Sequence, residues 1–316
     1  MCSGAQPWDM NNLWPWIIFI AFVLALLVLD LGVFNRRPHQ ITFREAAGWS
    51  VFYVALSLVF NLYIYRVYGT EAALQFLTSY ALEKSLSVDN IFLFAVIFTS
   101  MGVAAEYQHR VLFWGVVGAL VMRGIFIVAG VELVQHFHSV LYVFALFLLV
   151  MGVRLLRGDD KPYDPTRSTV LRLARKWFPI SAGYEGGRFF TRCNGRVCAT
   201  PLLLVLILIE AVDVTFAIDS IPAAFAVTQN AFIIFTSNTL AILGLRSLYF
   251  VLAGGMSRFR HLRTALAFLL ILIGARMLAA PWVRIPTWIV LLLIFVILGT
   301  AILASLPSDK RNPDSK

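Results

Sequence analysis

Long apolar runs separated by short polar breaks dominate the chain. Nine of them are long enough, or nearly so, to cross a hydrocarbon layer about 30 Å thick. They fall near 14–34, 46–65, 74–99, 110–134, 139–156, 200–222, 231–255, 264–281 and 286–305. This pattern predicts an all-α polytopic membrane protein with about nine transmembrane helices. The first run reads as a span and not as a cleaved signal. It lacks a basic start and a small-residue cleavage site, and Arg36-Arg37 follows it directly. The expected organisation is an N-terminal two-span segment (1–70), a three-span unit (71–157), an Arg-rich loop (158–199), a second three-span unit (200–282), and a ninth span with a polar tail (283–316).

Inside the loop, Asp164-Pro165 can start a helix. Val170, Leu171, Leu173, Ala174, Trp177 and Phe178 would share one face, opposite Arg167, Arg172, Arg175 and Lys176. Two readings stand: a helix lying on the anionic cytoplasmic membrane surface, or a solvated, loosely docked connector. Gly183, Gly186, Gly187 and Gly195 mark turns after it.

Composition agrees with the pattern. The chain is 60% hydrophobic and 14% charged, too apolar for a soluble domain. Its net charge of +9 invites a nucleic-acid reading, but the basic residues are distributed as a topology signal. If the spans alternate, Arg36, Arg37, Arg44, Arg110, the basic residues from Arg154 to Arg196, Arg258, Arg260, Arg263, Lys310, Arg311 and Lys316 all share one side. Only Arg66 and Arg284 fall on the other. The positive-inside rule makes the rich side cytoplasmic, with the N-terminus outside and the C-terminus inside. No nucleic-acid partner is expected. Of Cys2, Cys193 and Cys198, the last two fit no strong metal or redox spacing and read as cytoplasmic thiols. With no His-Glu-x-x-His, Walker or Gly-x-Ser-x-Gly motif, neither an enzyme nor a permanently bound cofactor is expected.

The chemistry sits inside the apolar runs. Glu83-Lys84-Ser85-Leu86-Ser87-Val88-Asp89-Asn90-Ile91 is echoed by Asp213-Val-Thr-Phe-Ala-Ile-Asp219-Ser220-Ile221. In each, a carboxylate precedes an Asp by six residues. Further anchors follow in the same order: Arg123 and Arg246 in the next runs, then Gly152 and Arg154 against Gly274 and Arg276. Spans three to five and six to eight are therefore one unit used twice. A three-span unit must re-enter from the opposite side, giving an inverted 3+3 repeat of the kind secondary transporters use, with a site near the midplane.

Ionised carboxylates in hydrocarbon are costly and mark ion pathways by default. Glu83, Asp89, Asp213 and Asp219 are the candidate metal ligands, joined by Glu210, Asn90 and Ser220. Ser85, Ser87 and Thr215 add oxygens. A hard-oxygen set without thiolate or imidazole suits Mn²⁺, Mg²⁺ or Ca²⁺, and protons would compete with the metal. Six helical residues turn the chain by about 240°, so Glu83 and Asp89 do not share a face of a regular helix. Either the helix breaks between them or each belongs to its own microsite; a break near these residues, helped by Pro222, is the expectation. Lys84, Arg123 and Arg246 read as gating or charge-balancing partners, and static ion pairing is the bland alternative. Asn238 lines the path or bonds between helices. Asp30 reads as an interfacial or bundle-contact residue. Glu132, His136 and His138 read as a solvated outer loop, with metal collection as the alternative.

The runs Glu83–Asn90 and Glu210-Ala-Val-Asp213 through Pro222-Ala, with Phe235-Thr-Ser-Asn238 through Gly244-Leu-Arg246-Ser-Leu-Tyr-Phe250, resemble the TerC family of bacterial integral membrane proteins. The long Arg-rich loop is similar to that of its Alx-like branch. The resemblance implies a protein of the bacterial cytoplasmic membrane that exports Mn²⁺ as substrate, coupled to pH, with the carboxylates above as metal residues. The family name refers to tellurium resistance, so efflux of a tellurium oxyanion is one alternative. A membrane redox modulator or assembly factor is the other.

Overall fold

The computed structural model describes residues 13–29, 42–137, 139–157, 168–177, 179–181, 183–184, 187–193, 196–253, 262–283 and 285–305. Each apolar run forms helix. The order is α1 (Trp14–Leu29), α2 (Phe43–Tyr68), α3 (Thr70–Ser100), α4 (Ala105–His136), α5 (Val140–Arg157), α6 (Thr169–Trp177), strands β1 (Phe190–Cys193) and β2 (Arg196–Ala199), then α7 (Pro201–Val227), α8 (Ala231–Leu243), α9 (Leu245–Ala253), α10 (Leu262–Ala279) and α11 (Thr287–Ser305). Among the described residues, six helical stretches are long and apolar enough to cross a membrane: α2, α4, α5, α7, α8 with α9, and α11. The protein is an all-α polytopic membrane protein with one small hairpin.

The centre is the antiparallel crossing of α3 and α7. Ile91, Phe94, Ala95 and Phe98 pack with Leu202, Leu204, Val205 and Leu208 at one end. Ala81 and Leu82 pack with Ala223 and Val227 at the other. α8 lies against α3, α4 against both α7 and α8, and α5 runs along α10. The α5–α10 contact is close because each helix offers a glycine to the other. A Cβ on Gly152 would lie 2.9 Å from the Ala267 carbonyl oxygen, and one on Gly274 would lie 2.9 Å from the Ala145 carbonyl oxygen. α1 and α2 clad one flank through Phe19, Phe60, Phe76, Phe232 and Trp16. A single residue, Gly69, joins α2 to α3 with φ +88°, which only glycine adopts cheaply.

Two expectations about helix continuity are corrected. α3 is unbroken from Thr70 to Ser100, and α7 runs unbroken through Pro222. In α3 the backbone ladder stays closed, and Ser85 Oγ folds back onto the Ala81 carbonyl (2.5 Å) without prising it open. Proline is tolerated inside α7, as it is inside bilayer helices generally. The break falls instead in the run 231–255, where Gly244 is a turn between α8 and α9. Lys84 Nζ donates to the Ala241 carbonyl (3.2 Å), one of the groups that the end of α8 leaves open. A cation at a helix C-terminus also complements the helix dipole. Asn230 caps the other end of α8, its Oδ1 accepting from the N–H groups of Phe232 and Ile233.

The polar loop is folded onto the bundle. α6 turns Leu171 and Ala174 into the cluster formed by α3, α4 and α7, while Leu173, Arg172 and Lys176 are exposed. The apolar face expected to lie on lipid is thus partly spent on the protein, because Val103 and Leu202 offer it a dry surface. Asp164-Pro165, Arg167 and Phe178 lie outside the described residues, as do the side chains of Arg175 and Trp177. β1 and β2 form an antiparallel hairpin. Tyr184 Oη donates to the Met101 carbonyl (2.6 Å), Thr200 Oγ1 to the Arg188 carbonyl (2.6 Å), and the Arg110 guanidinium lies 5.4 Å from the Phe189 ring centre. Cys193 and Cys198 sit on different strands, out of register, and are not disulfide-bonded.

Enlarging either reciprocal glycine is expected to wedge α5 from α10, because the opposing atoms are backbone and cannot yield. Gly152→Val and Gly274→Val should each lower stability by about 1–3 kcal/mol, read as a lower melting temperature of the detergent-solubilised protein. Gly299→Ala, where nothing lies within 4 Å, should leave the melting temperature unchanged or slightly raised.

Candidate cation site

Four helices bring polar side chains to the buried centre. α3 supplies Glu83, α4 supplies Arg123, α7 supplies Asp213 and Ser220, and α8 supplies Asn238; all are buried. Arg123 organises them. Its Nη2 donates to Asp213 Oδ1 (3.2 Å) and its Nε to Asp213 Oδ2 (3.4 Å), a two-point grip on one carboxylate. Its Nη1 donates to Glu83 Oε1, to Ser220 Oγ (3.2 Å) and to Asn238 Oδ1 (3.2 Å). Asn238 Nδ2 donates in turn to Glu83 Oε2 (3.0 Å). The carboxylates of α3 and α7 therefore converge on a cation, and that cation is a guanidinium from the chain itself. With both ionised, two negative charges face one positive charge.

The other candidates separate from this group. Asp89 and Asp219 lie within electrostatic reach of each other and are less deeply buried. An unbroken α3 keeps Glu83 and Asp89 on different faces of the helix. Glu210 lies near Asp213, and its carboxylate fills the space where a Cβ on Gly118 of α4 would stand. Gly118 is thus a requirement of the site that the chemistry of the acidic motifs did not reveal. Asn90 is buried and its Oδ1 has no hydrogen-bond partner; Ser79 Oγ and Ser87 Oγ share that condition on the same helix. Ser79, Glu83, Ser87 and Asn90 recur at helical spacing, so α3 carries a polar stripe through an apolar interior. Thr215 is exposed and bonds its own helix, outside the group. Lys84 is turned away to α8. Arg246 borders the site: it lines a cavity of about 10 Å³ together with Asp213. Glu132 and His136 are exposed on the last turn of α4, and Asp30 and His138 lie outside the described residues.

Among the described residues, no three His, Cys, Asp or Glu side chains converge tightly enough to hold a metal ion. The reason is visible at the centre, where Arg123 fills the space between Glu83 and Asp213. A divalent cation bridging those two carboxylates requires the guanidinium to move. Hard-oxygen donors for it are on hand in Glu83, Asp213, Ser220 and Asn238, with Asp89 and Asp219 as a second pair.

Residues 68–313 match the integral membrane protein TerC family. The chain belongs to that family. An uncharacterized membrane protein of Myxococcus xanthus is 49% identical over 95% of this chain and 94% of its own length. A Rickettsia bellii membrane protein is 40% identical over 92% of this chain and 96% of its own. Alx of Salmonella typhi, whose name proposes a membrane-bound redox modulator, is 44% identical over 90% of this chain and 91% of its own. No solved structure matches. Within this TerC protein the family match takes in α3 to α11 and so the whole carboxylate–arginine group, while α1 and nearly all of α2 precede it.

Removing Arg123 should leave two buried carboxylates uncompensated. Arg123→Met is expected to cost about 3–5 kcal/mol, measured by thermal unfolding in detergent. The triple variant Arg123→Met with Glu83→Gln and Asp213→Asn should recover most of that loss. Failure of the triple variant to recover would mean that packing of the Arg123 stem, not charge balance, is what the site needs.

Proposed function

We propose that this TerC protein exports a hard divalent cation, Mn²⁺ foremost, across the bacterial cytoplasmic membrane in exchange for protons, by alternating access. It is read as a transporter and not as an enzyme. The observation that carries the reading is the Glu83–Arg123–Asp213 group. A cation held between carboxylates of two crossing helices, in the interior of an apolar bundle, is what a cation pathway requires. The donor set is all oxygen, which fits Mn²⁺ and the other hard divalent ions. Metal and protons compete for the same carboxylates, so metal binding releases protons; this supports coupling to pH.

In this reading nine helices cross the membrane, α1, α3 and α10 included and α8 with α9 counted once. The N-terminus lies outside and the basic loop and C-terminus inside. An inverted repeat relates α3–α5 to α7–α10. The helix contacts support it: α3 meets α7, α5 meets α10, and the α4–α7 contact has its counterpart in α3–α8. The reciprocal packing of Gly152 and Gly274, matched anchors of the sequence repeat, supports it further. The broken α8–α9 span and the midplane site belong to the same architecture.

A tellurium oxyanion needs a net positive site, and here carboxylates outnumber the guanidinium that faces them. A redox role, suggested by the names of Alx relatives, finds its cysteines only at Cys2, Cys193 and Cys198, none inside an expected span. The test is Mn²⁺ flux into vesicles reconstituted with the full chain under an imposed pH gradient. Wild-type flux should depend on the gradient, and Glu83→Gln and Asp213→Asn should each reduce it by about 100-fold or more, since each removes a ligand from the path. Flux equal to that of protein-free vesicles would sink the proposal. Tellurite flux that survives Asp213→Asn would transfer it to the oxyanion.

A further inference from the structure

The two halves of the chain carry matching parts, and the oxygens of the matched pair Ser220 and Asn90 are used unequally. Arg123 and Arg246 hold equivalent places in the sequence repeat. So do Ser220 and Asn90, each the residue that follows the second Asp of its motif. Arg123 donates to Ser220. The matching oxygen in the first half, Asn90 Oδ1, is buried and has no hydrogen-bond partner. Native proteins seldom leave such an atom unsatisfied, and an exception calls for an explanation in function.

Arg246 is close at hand. It lines the same cavity as Asp213, about 10 Å³ in volume, room for about one water. Leu112, Gly115, Val116 and Ala119 form the α4 side of that cavity. Asp213 is therefore gripped by Arg123 and borders on Arg246. Arg246 also lies in the first turn of the second half of a broken span, just past the Gly244 turn.

We infer that Arg123 and Arg246 take turns on the Glu83–Asp213 pair. In the state described here, Arg123 neutralises the pair and donates to Ser220. In the alternate state, Arg246 takes the carboxylates and donates to Asn90, and Arg123 withdraws. This rests on the inverted repeat and alternating access proposed above. An inverted repeat relates the two arrangements by a pseudo-two-fold axis in the membrane plane, so each belongs to one direction of opening. During the exchange the carboxylates have released one guanidinium and not yet gained the other. A hard divalent cation enters the competition in that interval. Arg246 is thus a second positioning residue, equal in rank to Arg123.

The experiment reads access and not transport, so its outcome is separable from that of the Mn²⁺ flux assay. Single reporter cysteines are placed in the full chain, with Cys2, Cys193 and Cys198 changed to Ser, at Ser79 and at Ile209. These are repeat-equivalent positions at opposite ends of the α3–α7 crossing. Labelling by a membrane-impermeant maleimide is then measured from each side of oriented vesicles. Arg123→Gln should shift the two reporters in opposite directions, by about tenfold in rate, as a shifted two-state equilibrium requires. Arg246→Gln should reverse both signs. Ser220→Ala should act weakly in the sense of Arg123→Gln, and Asn90→Ala in the sense of Arg246→Gln. If the Gln variants do not fold, the Ser220→Ala and Asn90→Ala pair decides by the same criterion. Shifts of the same sign for the two arginines, or no shift at either reporter, would overturn the inference whether or not the protein carries Mn²⁺.

Discussion

Burying an ionised carboxylate away from water without a partner is among the costliest things a membrane bundle can do. The centre of this protein buries two carboxyl side chains, Glu83 and Asp213, and sets the Arg123 guanidinium between them. The surrounding architecture follows from that constraint. Asp213 needs a two-point donor, so α4 must bring a guanidinium and not an ammonium to α7. Glu83 keeps a second oxygen to satisfy, and Asn238 of α8 supplies the donor. Once Arg123 is fixed, its remaining donor capacity is met by Ser220 and the Asn238 carbonyl. Four helices are thereby registered against one another by a single residue.

Close approach is the other half of the design. Between helices in lipid, association rests on packing and not on the hydrophobic effect. Small residues occur where helices meet: Gly118 makes room for Glu210, Gly130 for Phe225, and Gly152 and Gly274 for each other's helix backbone. Gly244 combines room with a break. It lets Lys84 reach the open carbonyl of Ala241, and so this lysine stabilises a helix end and stays out of the carboxylate group. Two neighbouring charged residues, Glu83 and Lys84, thereby serve different structures from adjacent positions on α3.

Much of this was legible in the sequence. The apolar runs marked each long helix, and the matched motifs named Glu83, Asp213 and Ser220 before their meeting point was visible. The order of anchors singled out Arg123, Gly152 and Gly274. What sequence reasoning misplaced shares a cause: it depended on partners from distant helices. The supposed break between Glu83 and Asp89 followed from wanting both on one metal. The structure resolves that conflict by turning Glu83 to Arg123 of α4 and Asn238 of α8, while Asp89 lies near Asp219 of α7. The true break at Gly244 had only a mid-span glycine as its signal, and the requirement for Gly118 had none, because only the fold places Glu210 against it. The hairpin in the polar loop did carry a signal. Asn194-Gly195 between two short runs with β-branched and aromatic residues is a two-residue turn signature. The docking of α6 could not be foreseen, since its apolar face suits a lipid surface as well as a protein one.

Arginine, and not lysine, at the centre has a consequence for how the site can turn over. A lysine buried between carboxylates can lose its proton and leave as a neutral amine. A guanidinium does not deprotonate in proteins, so Arg123 cannot be discharged; it can only be moved or matched. Every change of protonation at the centre must therefore occur on the carboxylates. Protonating Glu83 or Asp213 weakens the hold on Arg123 by removing the charge it answers, and a divalent cation that binds the same oxygens repels it directly. Both agents act on Arg123 in the same sense but compete with each other for the same lone pairs. In the proposed exchange, two mobile cations that exclude each other and both displace a tethered one would be coupled without a dedicated proton relay. The displaced guanidinium must find other acceptors inside an apolar bundle. The stripe of unsatisfied oxygens along α3, Ser79, Ser87 and Asn90, shows that polar capacity beyond the central group is already built into the helix that carries Glu83.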